Sequence, residues 1–499
     1  MLGRSTWLEW FVEACCRPGH SACLQGTTIM PFFRRLTILS VGATGLFTFL
    51  ACSDDTTGTG GSGTTSTSAA NSSASAGTTG AGGDPSTTSA TSASASASTG
   101  TGGISARSRG YYFAVDTVAN TWTVTVVDPT APKPVVATLV VDELAALTGA
   151  AGNKMGPGWG DSIASPKGDR VFANAANADR TLVIETATPS VETVLKVGGK
   201  PLHIYNPNDN GEIWAHNDTD GSFSVINTTT LAVAAPVVAS LKNTGHGKLV
   251  YGSQLGTKYF ATNTNDPGGF SLDATTHAAT FLSLCAKPCV DDPATPVDES
   301  LSKCGGTHDK AYNPKTNQIV FQCSGVTNGT VAFVDGTTGA VVKDLVPIVL
   351  GGFAKTHDNK YILAFDNGTD AVKVWDTAAA GHDGIKFDAT ATIKGAASVR
   401  GTSFLDNAQG EVEAWIPEST GPKLVVLNLK TLAQTEIEIG TLSPPPGSTS
   451  VTRRGEIAGD WYYTNSDTAL VMVNVKTKAV VQTALPSGSI QRVNGAMVP

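Results

Sequence analysis

The architecture of the chain is indicated by residues 304–323, CGGTHDKAYNPKTNQIVFQC. A Gly-Gly pair after the first cysteine lets the backbone turn tightly as it enters the first strand. Residues 311–313 are predicted to form a short strand. The run 313–317 (NPKTN) has the composition of a turn, and 319–321 (IVF) is predicted as the return strand. The two cysteines are therefore expected at the two ends of one β-hairpin, with His308 at its mouth.

The same unit recurs along the chain, with copies beginning near residues 160, 202, 246, 308, 352, 399 and 450. Each copy predicts four short strands separated by turns. The third strand is recognisable because it ends in Asp or Asn, the residues that begin an Asx turn. Repeats of four strands are typical of β-propeller blades. The third strands are 223–227 (FSVIN), 269–273 (GFSLD), 331–335 (VAFVD), 372–376 (VKVWD), 424–428 (LVVLN) and 470–474 (LVMVN).

The number of blades depends on how the ring closes. Seven complete copies run from about residue 160 to 487, and three strands between 111 and 141 precede them without an inner strand. The C-terminal run 490–498 (IQRVNGAMV) is suited to supply that strand. We therefore predict an all-β chain whose residues 106–499 form a single propeller of eight blades, or of seven if the first strands pack as an appendage. No segment has helical periodicity, and Trp159, Trp214, Trp375 and Trp415 are expected to pack the blades.

The N-terminal part of the chain predicts an extracytoplasmic, lipid-anchored protein. Residues 1–29 fit no targeting signal and resemble an upstream extension, with Met30 as the start. Residues 30–52 have a basic start and an apolar run, 36–50, that is too short to span a bilayer, as in a signal peptide. The run ends in FLAC, which resembles a bacterial lipoprotein signal with Cys52 as the lipidated residue. The alternative is an ordinary secretory signal. Residues 53–105, almost entirely Ser, Thr, Gly and Ala, are expected to be a disordered tether.

Charge and cysteine content limit the possible functions. The formal net charge is −8, and no Lys/Arg stripe is present, which argues against nucleic acid as a partner. Four cysteines remain after Cys52 and allow three disulfide connectivities. In an oxidising compartment we favour Cys304–Cys323 and Cys285–Cys289. A four-thiolate zinc site is the alternative, although the spacing fits it poorly.

Histidines occupy the first residues of three successive inner strands, which line the channel of a propeller. They are His203, His246 and His308. Three neutral imidazoles and a carboxylate suit Zn²⁺, and Asp161 or Asp309 is expected to complete the set. The alternative is that these histidines only pack against neighbouring turns. The other histidines, His216, His277, His357 and His382, are expected in solvated turns or outer strands, and Asp218 and Asp220 in a hairpin turn.

Two family resemblances follow from these segments. The run 353–363 (FAKTHDNKYIL) resembles a repeat of the YVTN family of extracytoplasmic propellers. KPLH at 200–203, TGHG at 244–247 and the 304–323 hairpin resemble, in the same order, motifs of the periplasmic zinc metallochaperone family AztD. The second resemblance implies a propeller that binds zinc through His203, His246 and His308 and hands it to a transporter's solute-binding protein. This chain departs from the family's pattern in two places that concern the delivery of zinc. Residues 53–103 contain no histidine, whereas the family has a His-rich flexible segment, and Asp309-Lys310 replace the family's Gly-Glu.

These inferences give one leading function and two alternatives. The leading hypothesis is a lipid-anchored propeller, in the periplasm or at the cell surface, that captures or transfers zinc and is not an enzyme. Three histidines around an open metal position are also found in metal-dependent hydrolases and lactonases, although no carboxylate base is evident here. The remaining alternative is a scaffold that binds protein partners on a face of the propeller.

Overall fold

The computed structural model describes residues 107–148, 158–207, 211–284, 304–324, 330–347, 352–365, 370–379, 387, 389–393, 401–444 and 453–498. In these residues the chain forms eight four-stranded antiparallel sheets, which are the blades of a propeller. The predicted all-β propeller of eight blades is confirmed.

The strands of the first half follow one another in chain order. They are β1 (Arg107–Asp116), β2 (Thr121–Val127), β3 (Val135–Val140), β4 (Trp159–Ala164), β5 (Arg170–Ala175), β6 (Arg180–Glu185), β7 (Ser190–Lys196), β8 (Pro201–Tyr205), β9 (Glu212–Asn217), β10 (Ser222–Asn227), β11 (Val237–Val238), β12 (Leu249–Val250), β13 (Lys258–Thr262), β14 (Gly268–Asp273) and β15 (Ala279–Ser283). Short 3₁₀ helices lie at Ala176–Ala178 and Ser253–Leu255.

The second half supplies the remaining strands. They are β16 (Gly306–Asn313), β17 (Gln318–Ser324), β18 (Thr330–Asp335), β19 (Val341–Pro347), β20 (Gly352–Lys355), β21 (Tyr361–Phe365), β22 (Ala371–Asp376), β23 (Ala389–Thr392), β24 (Ser403–Asp406), β25 (Val412–Pro417), β26 (Lys423–Asn428), β27 (Gln434–Glu438), β28 (Gly455–Ala458), β29 (Trp461–Asn465), β30 (Ala469–Asn474), β31 (Val480–Ala484) and β32 (Ser489–Val498).

The first blade closes the ring by pairing the two ends of the described chain. Its strand order is β3-β2-β1-β32, so the last strand takes the inner position. The pairing of β1 with β32 is antiparallel and extends from Arg107 opposite Val498 to Val115 opposite Ser489. Blades 2 to 8 consist of consecutive strands: β4–β7, β8–β11, β12–β15, β16–β19, β20–β23, β24–β27 and β28–β31. The C-terminal run therefore supplies the inner strand that the first three strands lack.

Asx turns connect the third and fourth strands of several blades. The Oδ1 atom of Asn227 accepts hydrogen bonds from the backbone N–H groups of Thr229 and Thr230, at 2.9 and 2.8 Å. The same pair of bonds occurs at Asp273, Asp335, Asn428 and Asn474. A short polar side chain that bonds its own backbone two and three residues on explains why the third strands end in Asn or Asp.

The core lies in layers between neighbouring blades. Trp159 packs against the rings of Phe113 and Trp122 at centroid distances of 5.1 and 4.9 Å, and its indole N–H donates to the carbonyl of Ala114. Burying an aromatic ring of this size while satisfying its polar end is strongly stabilising. The four tryptophans expected to pack the blades are all fully buried: Trp159, Trp214, Trp375 and Trp415.

Three details differ from the sequence-based expectations. A seven-residue helix, α1 (Asp142–Thr148), follows β3 and buries Leu144 and Thr148, although no helix was expected. Seven residues are too few to display the helical periodicity on which the expectation relied. The inner strands of blades 7 and 8 begin at Ser403 and Gly455, a few residues later than the repeat indicated.

The predicted signal peptide, the lipidated Cys52, the tether at 53–105 and the cysteines at 285 and 289 lie outside the described residues. Within the part of the chain that is described, no helix is long and apolar enough to cross a membrane.

Candidate metal centre

The predicted site residue His203 lies on β8 and is held by a carboxylate from the preceding blade. Its Nδ1 atom lies 2.7 Å from Oδ2 of Asp161 on β4, and its backbone carbonyl accepts a bond from the Asn174 side chain at 2.9 Å. The His203 ring is almost fully buried, with 2% of its side chain exposed. A carboxylate can only accept, so the proton of His203 belongs on Nδ1 and its Nε2 carries a lone pair.

Irregular pairing directs these side chains. The register between β4 and β5 shifts between Trp159 and Ser162, and the register between β8 and β9 shifts between Pro201 and His203. The pairing of β16 shifts in the same way between Thr307 and Lys310, where His308 lies. Such bulges turn a side chain away from the regular alternation of a strand and are common beside functional sites.

His246 lies just before β12, between two glycines that the structure requires. Gly245 has a φ of +127°, which strongly favours glycine. A Cβ atom on Gly247 would collide with the carbonyl oxygen of Thr262 and lie 2.8 Å from Nε2 of His216. The Gly-His-Gly pattern therefore permits the close approach of this segment to the neighbouring strands.

A second carboxylate holds His246 in the same way that Asp161 holds His203. Both carboxylate oxygens of Asp218 lie 3.1 Å from Nδ1 of His246. The Oδ1 atom of Asp218 also lies 3.1 Å from Nδ1 of His216, which is on β9 and fully buried. One carboxylate therefore holds two imidazoles.

The three predicted histidines come together at one point of the ring. The Nε2 atoms of His203 and His246 face each other at 3.1 Å. The ring of His308 stacks on that of His246, with 5.3 Å between centroids and 28° between planes. The backbone carbonyl of His308 accepts a bond from the Thr262 hydroxyl at 2.9 Å. The three imidazoles therefore come from three consecutive blades.

The pKa shifts of Asp218 and His216 indicate the protonation state of each group. Burial raises the pKa of Asp218, but hydrogen bonds from His216 and His246 outweigh it and hold the pKa well below its usual range. Burial lowers the pKa of His216, and the bond to Asp218 only partly opposes this effect. Asp218 is therefore a carboxylate and His216 a neutral imidazole.

Asp309 forms an ion pair with a buried lysine. Its Oδ2 lies 3.3 Å from Nζ of Lys248 and accepts a bond from the backbone N–H of Phe353 at 3.1 Å, with both side chains of the ion pair fully buried. Asp161 lies on the Nδ1 side of His203, and its other oxygen, Oδ1, lies 3.1 Å from Nη2 of Arg492. Asp161 therefore supports His203 from its Nδ1 side, whereas Asp309 binds Lys248 and the backbone of Phe353.

Three of the remaining histidines lie in the described part of the chain. The expectation that His216 is solvated is wrong, because it lies on a central strand behind His246. His277 is half-buried and lies 3.3 Å from Glu212, whereas His357 is exposed as expected. His382 lies outside the described residues.

A disulfide joins Cys304 to Cys323 across the ends of β16 and β17, with 5.0 Å between the Cα atoms. It fastens the hairpin that carries His308, and these two sulfurs are therefore not free for a four-thiolate metal site.

Among the described residues, no three side chains of His, Cys, Asp or Glu stand in a geometry that could hold a metal ion as they are. The arrangement nevertheless suits a pair of nitrogen ligands. Two imidazole nitrogens on one tetrahedral zinc lie about 3.3 Å apart, given Zn–N distances of ~2.0–2.1 Å. The spacing of the two Nε2 atoms is close to that value, and a carboxylate behind each imidazole is the usual support of a metal-binding histidine.

Comparison with solved structures finds the same architecture in the crystal structure of AztD from Citrobacter koseri, with a TM-score of 0.53 and 13% identity over 79% of this chain and 99% of that one. The fold is similar to that of AztD. The apo structure of AztD from the same organism gives a TM-score of 0.52 at 14% identity, again over 79% of this chain and 99% of that one. No known protein family matches the sequence, and no curated protein does. At this identity the likeness to AztD concerns the fold, and on that level the resemblance inferred from the sequence is confirmed.

Proposed function

We propose that this chain is an extracytoplasmic propeller that captures zinc as a cargo and passes it on, with His203, His246 and His308 as the ligands. Asp161 and Asp218 are assigned the role of holding the first two imidazoles. The AztD-like fold and the resemblance of the three histidine motifs to the AztD metallochaperones support this assignment.

The observation that carries the proposal is the contact between the two Nε2 atoms. Each Nδ1 atom faces a carboxylate and therefore keeps its proton, so that both Nε2 atoms present lone pairs. Two lone pairs at 3.1 Å repel each other unless a cation lies between them. A divalent metal bound to both nitrogens relieves this repulsion, because it accepts both lone pairs.

His308 is the third ligand in this proposal. An imidazole binds a metal in the plane of its ring. The ring of His308 is stacked nearly parallel to the ring of His246. The ring of His308 therefore has to turn before its nitrogen reaches the same ion. His308 and His246 are more exposed to solvent than His203. A metal ion would therefore enter and leave the site past His308 and His246.

A carrier role fits this site better than hydrolysis. The carboxylates in contact with the ligand pair, Asp161 and Asp218, both face Nδ1 atoms and are occupied there. Neither is available to remove a proton from a metal-bound water, the step that a hydrolytic zinc site needs.

The proposal extends to the compartment and the partner. The FLAC motif supports lipid attachment at Cys52, and the resemblance supports transfer to a solute-binding protein of a metal transporter. Metabolic labelling with a palmitate analogue tests the anchor. Label on the wild-type chain and none on Cys52→Ser is expected, whereas equal labelling excludes Cys52 as the lipidated residue.

Metal content tests the site itself. The mature chain without an affinity tag is purified, loaded with zinc, desalted and analysed by mass spectrometry. About one zinc per chain is expected in the wild type and none in the His203→Ala/His246→Ala/His308→Ala variant. His357→Ala, which removes an exposed histidine, is the matched control and should retain the metal. No zinc in the wild type, or equal zinc in the triple variant, would exclude the proposed site.

A further inference from the structure

The closing strand of the ring reaches the candidate zinc site through one arginine. Arg492 lies on β32 and is buried, with 5% of the residue exposed. Its Nε donates to the carbonyl oxygen of Gly160 at 2.6 Å, and its Nη2 lies 3.1 Å from Oδ1 of Asp161. The other carboxylate oxygen of Asp161 holds Nδ1 of His203 at 2.7 Å. A single carboxylate therefore separates the arginine from a ligand.

The two nitrogens of Arg492 fix two consecutive residues of one bulge. Gly160 and Asp161 lie within the register shift of β4, where the ladder with β5 does not hold them. The donors of the planar guanidinium have the fixed geometry of a fork. Because Arg492 binds the Gly160 carbonyl and the Asp161 carboxylate at the same time, neither group can rotate independently of the other. The orientation of the Asp161 carboxylate is thus set from β32.

The β32 strand is also the element that closes the propeller. It is the inner strand of blade 1 and pairs with β1, some 380 residues earlier in the sequence. The contacts from Arg492 to Asp161, from Asp161 to His203 and from His203 to His246 then run through blades 1, 2 and 3 to the segment that begins blade 4. Any movement of β32 away from blade 2 withdraws the support of His203.

We propose that Arg492 is a positioning residue for the zinc site, and that zinc binding and ring closure by β32 stabilise each other. This inference rests on the proposed function. The mutual stabilisation follows from linkage: if docking of β32 raises the affinity for zinc by some factor, zinc favours the docked strand by the same factor. Arg492 does not touch the metal and acts through Asp161.

The test compares Arg492→Gln and Arg492→Lys with a matched control, Arg109→Gln. Arg109 is a buried arginine of the same blade, and its guanidinium also bonds backbone carbonyls of blade 2, those of Thr186 and Ala187. Three quantities are measured on the full mature chain: the zinc dissociation constant by chelator competition, the absorption spectrum of the Co²⁺-loaded protein, and hydrogen exchange of β32 with and without zinc.

Removing a residue that supports a metal-binding histidine typically costs about 10–100-fold in metal affinity, and we expect that loss for Arg492→Gln. We expect a smaller loss for Arg492→Lys, which keeps the charge beside Asp161 but lacks the fork. The Co²⁺ spectrum should change in both. Zinc should slow exchange of β32 in the wild type, by a factor that falls in Arg492→Gln as the affinity falls. Arg109→Gln should keep the wild-type affinity and spectrum even if it is less stable.

Wild-type zinc affinity and an unchanged Co²⁺ spectrum in Arg492→Gln would overturn the inference while leaving the proposed function intact. An equal loss of affinity in Arg109→Gln would also overturn it, because the effect would then be general destabilisation. If Arg492→Gln does not fold, Arg492→Lys decides, since wild-type affinity there refutes positioning by the fork. A wild-type chain that binds no zinc removes the proposed function and this inference together.

Discussion

Asp218→Asn is the substitution that most directly probes the ligand pair. The carboxylate accepts from His246 at both oxygens and from His216 at one. An amide of the same shape has one accepting oxygen and one donating nitrogen. With its oxygen at the Oδ1 position the amide still accepts from His216, and its NH₂ group then faces Nδ1 of His246 and donates to it. His246 then moves its proton to Nε2, which can no longer bind a metal, although every heavy atom is in place.

The size of the effect follows from this change of tautomer. Loss of a partner that supports a ligand histidine typically lowers metal affinity about 10–100-fold, which is roughly 1.4–2.7 kcal/mol of binding free energy. We expect Asp218→Asn to fall in the upper part of this range, because both of its contacts with His246 are affected. At a fixed excess of zinc, the stabilisation of the fold by the metal should fall by the same free energy.

Chelator competition measures the affinity, and thermal unfolding with and without zinc measures the linked stabilisation. Asp220→Asn is the matched control, because this neighbouring carboxylate accepts from the backbone N–H of Gly199 at 2.5 Å instead of holding His246. The control should bind zinc as the wild type does. If Asp218→Asn binds zinc with wild-type affinity, Asp218 does not set the tautomer of His246 and the assignment of the ligand pair is wrong.

Three further predictions concern stability. Burial lowers the pKa of Lys355 to about 8. The buried charge therefore destabilises the fold below pH 8, and this destabilisation disappears as the pH rises to about 10.5. Lys355→Met should raise the unfolding free energy at pH 7 by about 3 kcal/mol, with the gain gone near pH 10.5 in a denaturant titration; a gain that does not change with pH would contradict the assignment. Cys304→Ser/Cys323→Ser opens a loop with a sequence separation of 19 and should cost roughly 3 kcal/mol of unfolding free energy; a loss under 1 kcal/mol would mean that the disulfide does not constrain the unfolded chain. Gly247→Ala should cost roughly 1–3 kcal/mol, because the methyl group collides with the carbonyl of Thr262, and wild-type stability would show that this segment moves freely.

Features that depend on residues close together in the sequence could be predicted. The third strands end in Asn or Asp because that residue bonds its own turn, and a bond spanning two or three residues leaves a pattern that can be read directly. The repetition of that pattern led to the blades and thence to the starts of the inner strands, where His203, His246 and His308 lie. Topology places the three histidines on consecutive blades, and their contacts with one another are seen only in the structure.

The residues behind the histidines could not be predicted in the same way. Asp218 follows β9 in a sequence, HNDTD, that has the composition of a hairpin turn, and His216 beside it gave no sign of burial. Their role depends on contact between blade 3 and the segment that precedes β12. Arg492 is 331 positions from Asp161, and bulges shift the register at both Asp161 and His308. Strict alternation along a strand does not indicate where such side chains point.

The pairing of β1 with β32 also has a consequence for the kinetics of folding. Blades 2 to 8 each form from strands that follow one another, so their contacts are local and close quickly. Blade 1 has to join Arg107 to Val498, and the entropy of closing so long a loop opposes this step until the intervening blades have formed. Ring closure should therefore be the last and slowest step, and a chain interrupted before it would expose the unpaired edge of β1 to other molecules.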